Sequence, residues 1–95
     1  MSTPSDFPKY RMRLFVAGKE RNSVMAQNNI TRICLTHLKD NYTLQIIDVF
    51  ENHTAAMAEN ILLVPTLVID TPNREIIIGS LENEHQILTA LGRIP

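Results

Sequence analysis

One proline constrains this chain more than any other residue. Pro65 interrupts the apolar run Ile61-Leu62-Leu63-Val64-Pro65-Thr66-Leu67-Val68-Ile69-Asp70. Proline has no N–H to give to a β-ladder, so within a sheet it is confined to a strand's first residue or to an edge. A short turn, Thr71-Pro72-Asn73-Arg74, follows, and then a second apolar run, Glu75-Ile76-Ile77-Ile78-Gly79. The segment reads as a strand beginning near the proline, a hairpin turn and a partner strand.

The length of 95 residues suggests one domain. It exceeds the roughly 70–80 residues below which a core usually needs a disulfide or metal to hold it. Residues 1–9, polar with two prolines up to Pro8, read as a flexible tail, and residues 10–95 as the folded unit. A net charge of −1 offers no basic face for nucleic acid. No stretch approaches the ~18 apolar residues of a membrane span, and the N-terminus lacks the apolar segment of a secretion signal. The single cysteine excludes an intrachain disulfide and fits a reducing compartment. A soluble, cytoplasmic protein is expected.

Along the chain, Tyr10, Met12, Leu14 and Val16 alternate with Arg11, Arg13 and Phe15, the period-two signature of a strand with one mostly apolar face. Asn22 or Ser23 is expected to cap a helix whose inward stripe holds Val24, Gln27, Ile30, Ile33/Cys34 and His37/Leu38. Asp40-Asn41 ends it. Residues 42–49 form a strand, with Ile46-Ile47 and Val49 suggesting burial on both faces. Asn52 or Thr54 starts a short helix through Glu59. After the hairpin, residues 82–91 read as a helix with Ile87, Leu88 and Leu91 inward. The order is βαβ followed by αββα, and the first unit favours a parallel pair of strands.

Little in the chain can do chemistry. His37, His53 and His85 belong to different elements, with no HxH or HExxH spacing, so no metal is expected. Val16-Ala17-Gly18 carries one glycine and cannot form a phosphate-binding loop. Glu82 and Glu84 read as a solvated helix start, and Asp48 as a strand-end residue bonded to nearby backbone. No catalytic residue or cofactor is expected.

The Val64-Pro65-Thr66-Leu67 segment, followed by strand, turn, strand, Gly79 and a last helix, resembles the second half of a thioredoxin-type domain. The resemblance implies a cis bond before Pro65. A redox thioredoxin places a thiolate at the N-terminus of its first helix, where the dipole lowers its pKa. The corresponding stretch here is Glu20-Arg21-Asn22-Ser23, with no cysteine. Cys34 lies about three turns into the helix on its apolar stripe, where an inert, buried thiol is expected. Disulfide exchange is rejected.

The more specific resemblance is to the KaiB family of clock proteins. Leu14-Phe15-Val16-Ala17-Gly18 with Asn22-Ser23-Val24, then Leu44-Gln45-Ile46-Ile47-Asp48-Val49, is similar to that family's first strand, loop and second strand. Ile61-Leu62, Val64-Pro65-Thr66-Leu67 and Ile77-Ile78-Gly79-Ser80-Leu81 match its later landmarks in order. The set spans residues 10–91. It implies an α/β, thioredoxin-like (KaiB-type) single domain whose C-terminal half switches fold, with a βαβ N-terminal half shared by both states. It implies a homo-oligomer, dimer or tetramer, in the resting state. It also implies a non-enzymatic regulator that binds a KaiC-like hexameric ATPase and autokinase.

Several basic positions of the clock proteins are replaced here, by Met25, Asn60, Ile69 and Glu75 among others. The remaining basic residues expected to contact a partner are Lys19, Arg21 and Arg74; the plainer reading of each is a solvated loop charge. Pro65 and Gly79 are expected to act on conformation, Gly79 through a positive φ or a close backbone approach. Two other readings stand beside this one. One is a redox-inactive thioredoxin-like protein in stress adaptation with other partners. The other is a detached relative of the KaiB-like sensor domains that precede kinase modules, against which the chain's end at Pro95 argues.

Overall fold

The computed structural model describes residues 8–94; most of the expected tail, residues 1–7, lies outside them, as does Pro95. Seven elements follow one another: β1 (Tyr10–Val16), α1 (Arg21–His37), β2 (Tyr42–Asp48), α2 (His53–Ala58), β3 (Thr66–Thr71), β4 (Glu75–Ile78) and α3 (Glu84–Ala90). The four strands form one sheet in the order β2-β1-β3-β4. β1 and β2 are parallel, in register from Tyr10 opposite Tyr42 to Val16 opposite Asp48. β3 is antiparallel to both β1 and β4.

The two faces of the sheet bury different amounts of apolar surface. Tyr10, Met12, Leu14 and Val16 from β1 meet Ile30, Ile33 and Cys34 of α1, Leu38 at its C-terminal cap, and Ile87, Leu88 and Leu91 at α3, in the main core. On the other face Phe15, Ile47 and Val68 pack with Ala56 of α2 in a much smaller cluster. The polar-looking face of β1 therefore becomes core at Phe15, which is fully buried. Lys9 is not a frayed residue: its N–H donates to Asn41 Oδ1 at 2.9 Å and its carbonyl accepts from the Thr71 hydroxyl at 3.0 Å.

Two expectations need correction. The inward stripe of α1 holds Ser23 and Ala26, not Val24 and Gln27, which are exposed. Small side chains let the first turn lie close to the sheet. β2 is not buried on both faces either. It is an edge strand with a neighbour on one side only, and Ile46 is 36% exposed while Ile47 is buried.

Leu14 is fully buried in a strand paired on both sides. Leu14→Ala is expected to lower the unfolding free energy by about 2–5 kcal/mol, a large share of the roughly 5–15 kcal/mol of a typical domain. Urea unfolding followed by circular dichroism measures it; a change under about 1 kcal/mol would mean that the main core is not where it is described.

Candidate partner interface

The C-terminal end of β1 gathers most of the residues singled out from the sequence. Val16 continues into Ala17, Gly18 and Lys19, and α1 starts at Arg21. Pro65 immediately precedes β3, whose Thr66 lies opposite Phe15. The Val64–Pro65 bond is cis, as the thioredoxin resemblance implied, and so is Thr71–Pro72. The Pro65 carbonyl accepts from Gly79 N–H at 2.9 Å, which joins directly the two residues expected to act on conformation. Gly79 has φ 119°, a value that side-chain-bearing residues rarely adopt. Leu81 holds φ 63°, a left-handed value for a buried leucine whose side chain packs in the main core.

The helix start at this end has no nucleophile. Its cap is Glu20, correcting the expected Asn22 or Ser23; the carboxylate accepts from Asn22 N–H at 2.9 Å and Ser23 N–H at 3.0 Å. These bonds, Asn22 first, hold the Glu20 carboxyl below its ordinary value. Ser23, fully buried, donates from Oγ to Glu20 and accepts from Ala17 N–H at 3.0 Å. Glu20-Arg21-Asn22-Ser23 at this helix start are thus a capping carboxylate, an exposed arginine, an exposed asparagine and a buried structural hydroxyl. Asp48 closes the neighbouring loop, as expected: its Oδ1 accepts from Gly18 N–H at 3.2 Å and Phe50 N–H at 3.0 Å. Among the described residues no group of three or more His, Cys, Asp and Glu gathers as a metal site. No helix among them is long and apolar enough to cross a membrane.

Lys19 and Arg21 are exposed beside this end. Arg74 is not with them. The pairing of Arg11 with Thr71 puts the β3–β4 turn at the opposite end of the sheet. There Arg74 donates to Glu59 Oε1 at 2.9 Å and lies 3.7 Å from Asp70 Oδ1.

Sequence reading missed the centre of that cluster, Arg13. Its guanidinium donates to both Asp70 oxygens, at 2.8 and 2.7 Å, and lies 3.2 Å from Glu59 Oε2. Two arginines and two carboxylates thereby tie the end of α2 to β1, β3 and the hairpin. Arg13 shares with Phe15, two residues on, the face that α2 covers, but nothing in the linear order showed that Asp70, 57 residues on, would meet it. The Arg13 bond comes first among the causes that hold the Glu59 carboxyl low, then the Arg74 bond. A second link joins α1 to α3. Glu84 accepts from Arg32 at 2.9 Å and lies 3.4 Å from His37, so it is not simply a solvated helix start.

A continuous apolar surface lies over α2 and the following loop. Phe50, Met57, Leu62, Leu63, Ile76 and Ile78 are each more than half exposed. They line two adjoining clefts of about 260 and 200 Å³ that share Ile61 and Leu62. Among the described residues no helix covers this side of β4, where Ile76 and Ile78 are exposed. The β-branched run that made β4 legible as a strand gave no sign that two of its isoleucines would face solvent.

These features define a thioredoxin-like domain whose first helix starts without a cysteine and whose one cysteine, Cys34, is buried. Known proteins agree. A chloroplastic thioredoxin z matches with a TM-score of 0.75 at 19% identity, over 90% of this chain and 78% of its own. The N-terminal domain of Synechococcus elongatus SasA matches with a TM-score of 0.73 at 19% identity, over 98% of this chain and 89% of its own. At such identities these likenesses concern the fold. The KaiB domain family model matches residues 13–93. The chain is 36% identical to the circadian clock protein KaiB3 of Synechocystis sp. over 95% of this chain and 89% of that protein. It is 39% identical to the circadian clock oscillator protein KaiB of Picosynechococcus sp. over 86% of this chain and 80% of that one. The chain belongs to the KaiB family.

Two measurements check this description. Asp70→Ala is expected to lower stability by about 1–3 kcal/mol at neutral pH, because Arg13 loses its two-point partner. Glu59 has a folded-state pKa below its unfolded one, so its contribution is present above the unfolded value and is lost as pH falls through the folded value. Glu59→Gln should therefore flatten the acid limb of the stability profile in urea titrations at stepped pH; an unchanged limb would place the acid sensitivity elsewhere. Burial pushes the Cys34 thiol up to about 12. A maleimide is expected to label Cys34 only after unfolding, and rapid labelling of the native protein would contradict its burial.

Proposed function

We propose that this chain is a non-enzymatic regulatory protein that binds a hexameric ATPase of the KaiC type and modulates its phosphorylation or signalling. Membership of the KaiB family, over nearly the whole chain, carries the reading. The helix start is in keeping with it, since it carries a capping carboxylate and a buried serine and no cysteine. Lys19 and Arg21, exposed together at one end of the sheet, are the charged contacts of this proposal. Such residues steer association and set its salt dependence more than they add affinity. Arg74, half exposed and already paired with Glu59, is the third contact, at the other end.

Pro65 and Gly79 are the conformational positions in this reading. They bracket the β3–β4 hairpin, the part whose rearrangement the family resemblance implies. Two packings of one sequence can interconvert when they differ by only a few kcal/mol.

The experiment is size-exclusion chromatography with light scattering, using the KaiC-type ATPase from the same genome and ATP. A stoichiometric complex is expected, and Lys19→Glu with Arg21→Glu should slow its formation about tenfold at low salt. No detectable complex would sink the proposal and leave a thioredoxin-like protein with other partners, of the stress-adaptation kind, as the better reading. Amide NMR of the free and bound protein tests the rearrangement, which is abandoned if the hairpin is the same in both.

A further inference from the structure

On the face of the sheet that α2 covers, side chains of β1 and β2 stand in pairs. Phe15 lies opposite Ile47, Arg13 opposite Gln45 and Arg11 opposite Thr43. Alternate residues of a strand share a face, so the pairs follow one another along it. The helix roofs only the first of them. Phe15 and Ile47 are buried under α2, whereas Gln45, Thr43 and Arg11 are exposed. Beyond the helix the face opens into a cleft of about 480 Å³, where these residues and Arg13 meet Asp70 and Thr71 of β3. Small-molecule sites commonly have volumes of about 300–1,000 Å³. β3 is irregular at this place: Arg11 pairs with Thr71 and Met12 with Ile69, which leaves Asp70 as the extra residue of a bulge. Bulges re-aim side chains, and Asp70 meets Arg13 through both carboxylate oxygens.

We propose that this cleft binds a small phosphate monoester of a hydroxylated carbon chain, with the phosphate on Arg11 and the hydroxyls against Asp70 and Thr71. Charge selects the anion. Asp70 matches Arg13, and beside them Glu59 and Arg74 match one another. Among the described residues no carboxylate pairs with Arg11. Arg11 therefore gives the cleft a surplus of positive charge, in a chain whose net charge is −1. Guanidinium groups hold phosphate at two points. Arg13 has more N–H donors than its contacts with Asp70 and Glu59 use. The Thr43 hydroxyl and the Gln45 amide add neutral donors from β2.

The β3 side selects the rest of the ligand. The Thr71 hydroxyl donates to the Lys9 carbonyl at 3.0 Å, so its oxygen faces a ligand as an acceptor. The Asp70 carboxylate has lone pairs beyond those that Arg13 uses. A second anionic group is repelled there, and a hydroxyl is not. No aromatic ring lines the cleft, and the side chains of Met12 and Leu44 pack into the main core behind it. A nucleobase or an acyl chain thus finds no surface to lie on. The cleft sits toward the start of β1, away from Lys19 and Arg21 beyond its other end, and stands whether or not the chain binds an ATPase.

The test is an amide NMR titration of the protein alone with β-glycerophosphate, and in parallel with inorganic phosphate and with glycerol. Millimolar binding of β-glycerophosphate is expected, with shifts at Arg11, Thr43, Asp70 and their neighbours. Arg11→Gln should weaken it about tenfold, as loss of a charge-assisted hydrogen bond does, and Thr43→Val should weaken it by a smaller factor. Arg11 is exposed, so its replacement should leave the circular dichroism spectrum unchanged. Arg93→Gln, at an exposed arginine after α3, should have no effect on binding. Inorganic phosphate should bind several-fold more weakly than the ester, and glycerol should not bind. An absence of shifts at tens of millimolar β-glycerophosphate overturns the proposal. So does binding that Arg11→Gln leaves intact, or shifts centred on Lys19 and Arg21 instead. Inorganic phosphate that binds as well as the ester overturns the hydroxyl contacts, and with them the choice of ligand.

Discussion

Every other element depends on the double pairing of β1. Its backbone bonds to β2 on one side and β3 on the other, so no edge of it is open. Its side chains then have to be buried on both faces wherever a helix lies over them. Tyr10, Met12, Leu14 and Val16 supply one face, and Phe15 anchors the other. α1, α2 and α3 are each placed by what they cover on this strand or its neighbours. Strand order, layer order and the position of the loops at the end of β1 follow from it.

The two faces of the sheet are unequal in what they bury. Among the described residues sixteen buried ones make up the core on the side of α1 and α3, and four make up the one on the side of α2. A six-residue helix cannot roof a four-stranded sheet. The uncovered remainder is apolar near Leu62 and β4 and ionic around Arg13. The ionic cluster holds the end of α2 down where little apolar contact does so. A buried or half-buried guanidinium with two-point partners needs those partners to offset its lost hydration.

Much of the fold was legible because its signals are local. Alternation in Tyr10–Val16, the proline before β3, the β-branched run of β4 and the stripe Ile87, Leu88, Leu91 each report on residues a few positions apart. The reading failed where neighbours in space decide. Ile46 looked like a buried strand residue because nothing in its sequence shows that β2 would be an edge. Val24 and Gln27 looked inward because their spacing fits, yet Ser23 and Ala26 allow the closer approach. Lys19, Arg21, Pro65 and Gly79 do lie at one end of the sheet, while Arg74 went to the other, as only the antiparallel register could show.

The amino-acid sequence by itself determined the order of elements, the lack of a thiol pair and the placing of a glycine just after the last strand. These rest on backbone chemistry and on which atoms are present, and neither depends on distant contacts. Tertiary structure alone decided that Arg13 meets Asp70 and Glu59, that Glu84 joins Arg32, and that Ile76 and Ile78 stay in solvent. Each of these depends on residues far apart in the chain being brought within a few ångströms. Sheet register and helix length set that proximity, and no local pattern encodes it.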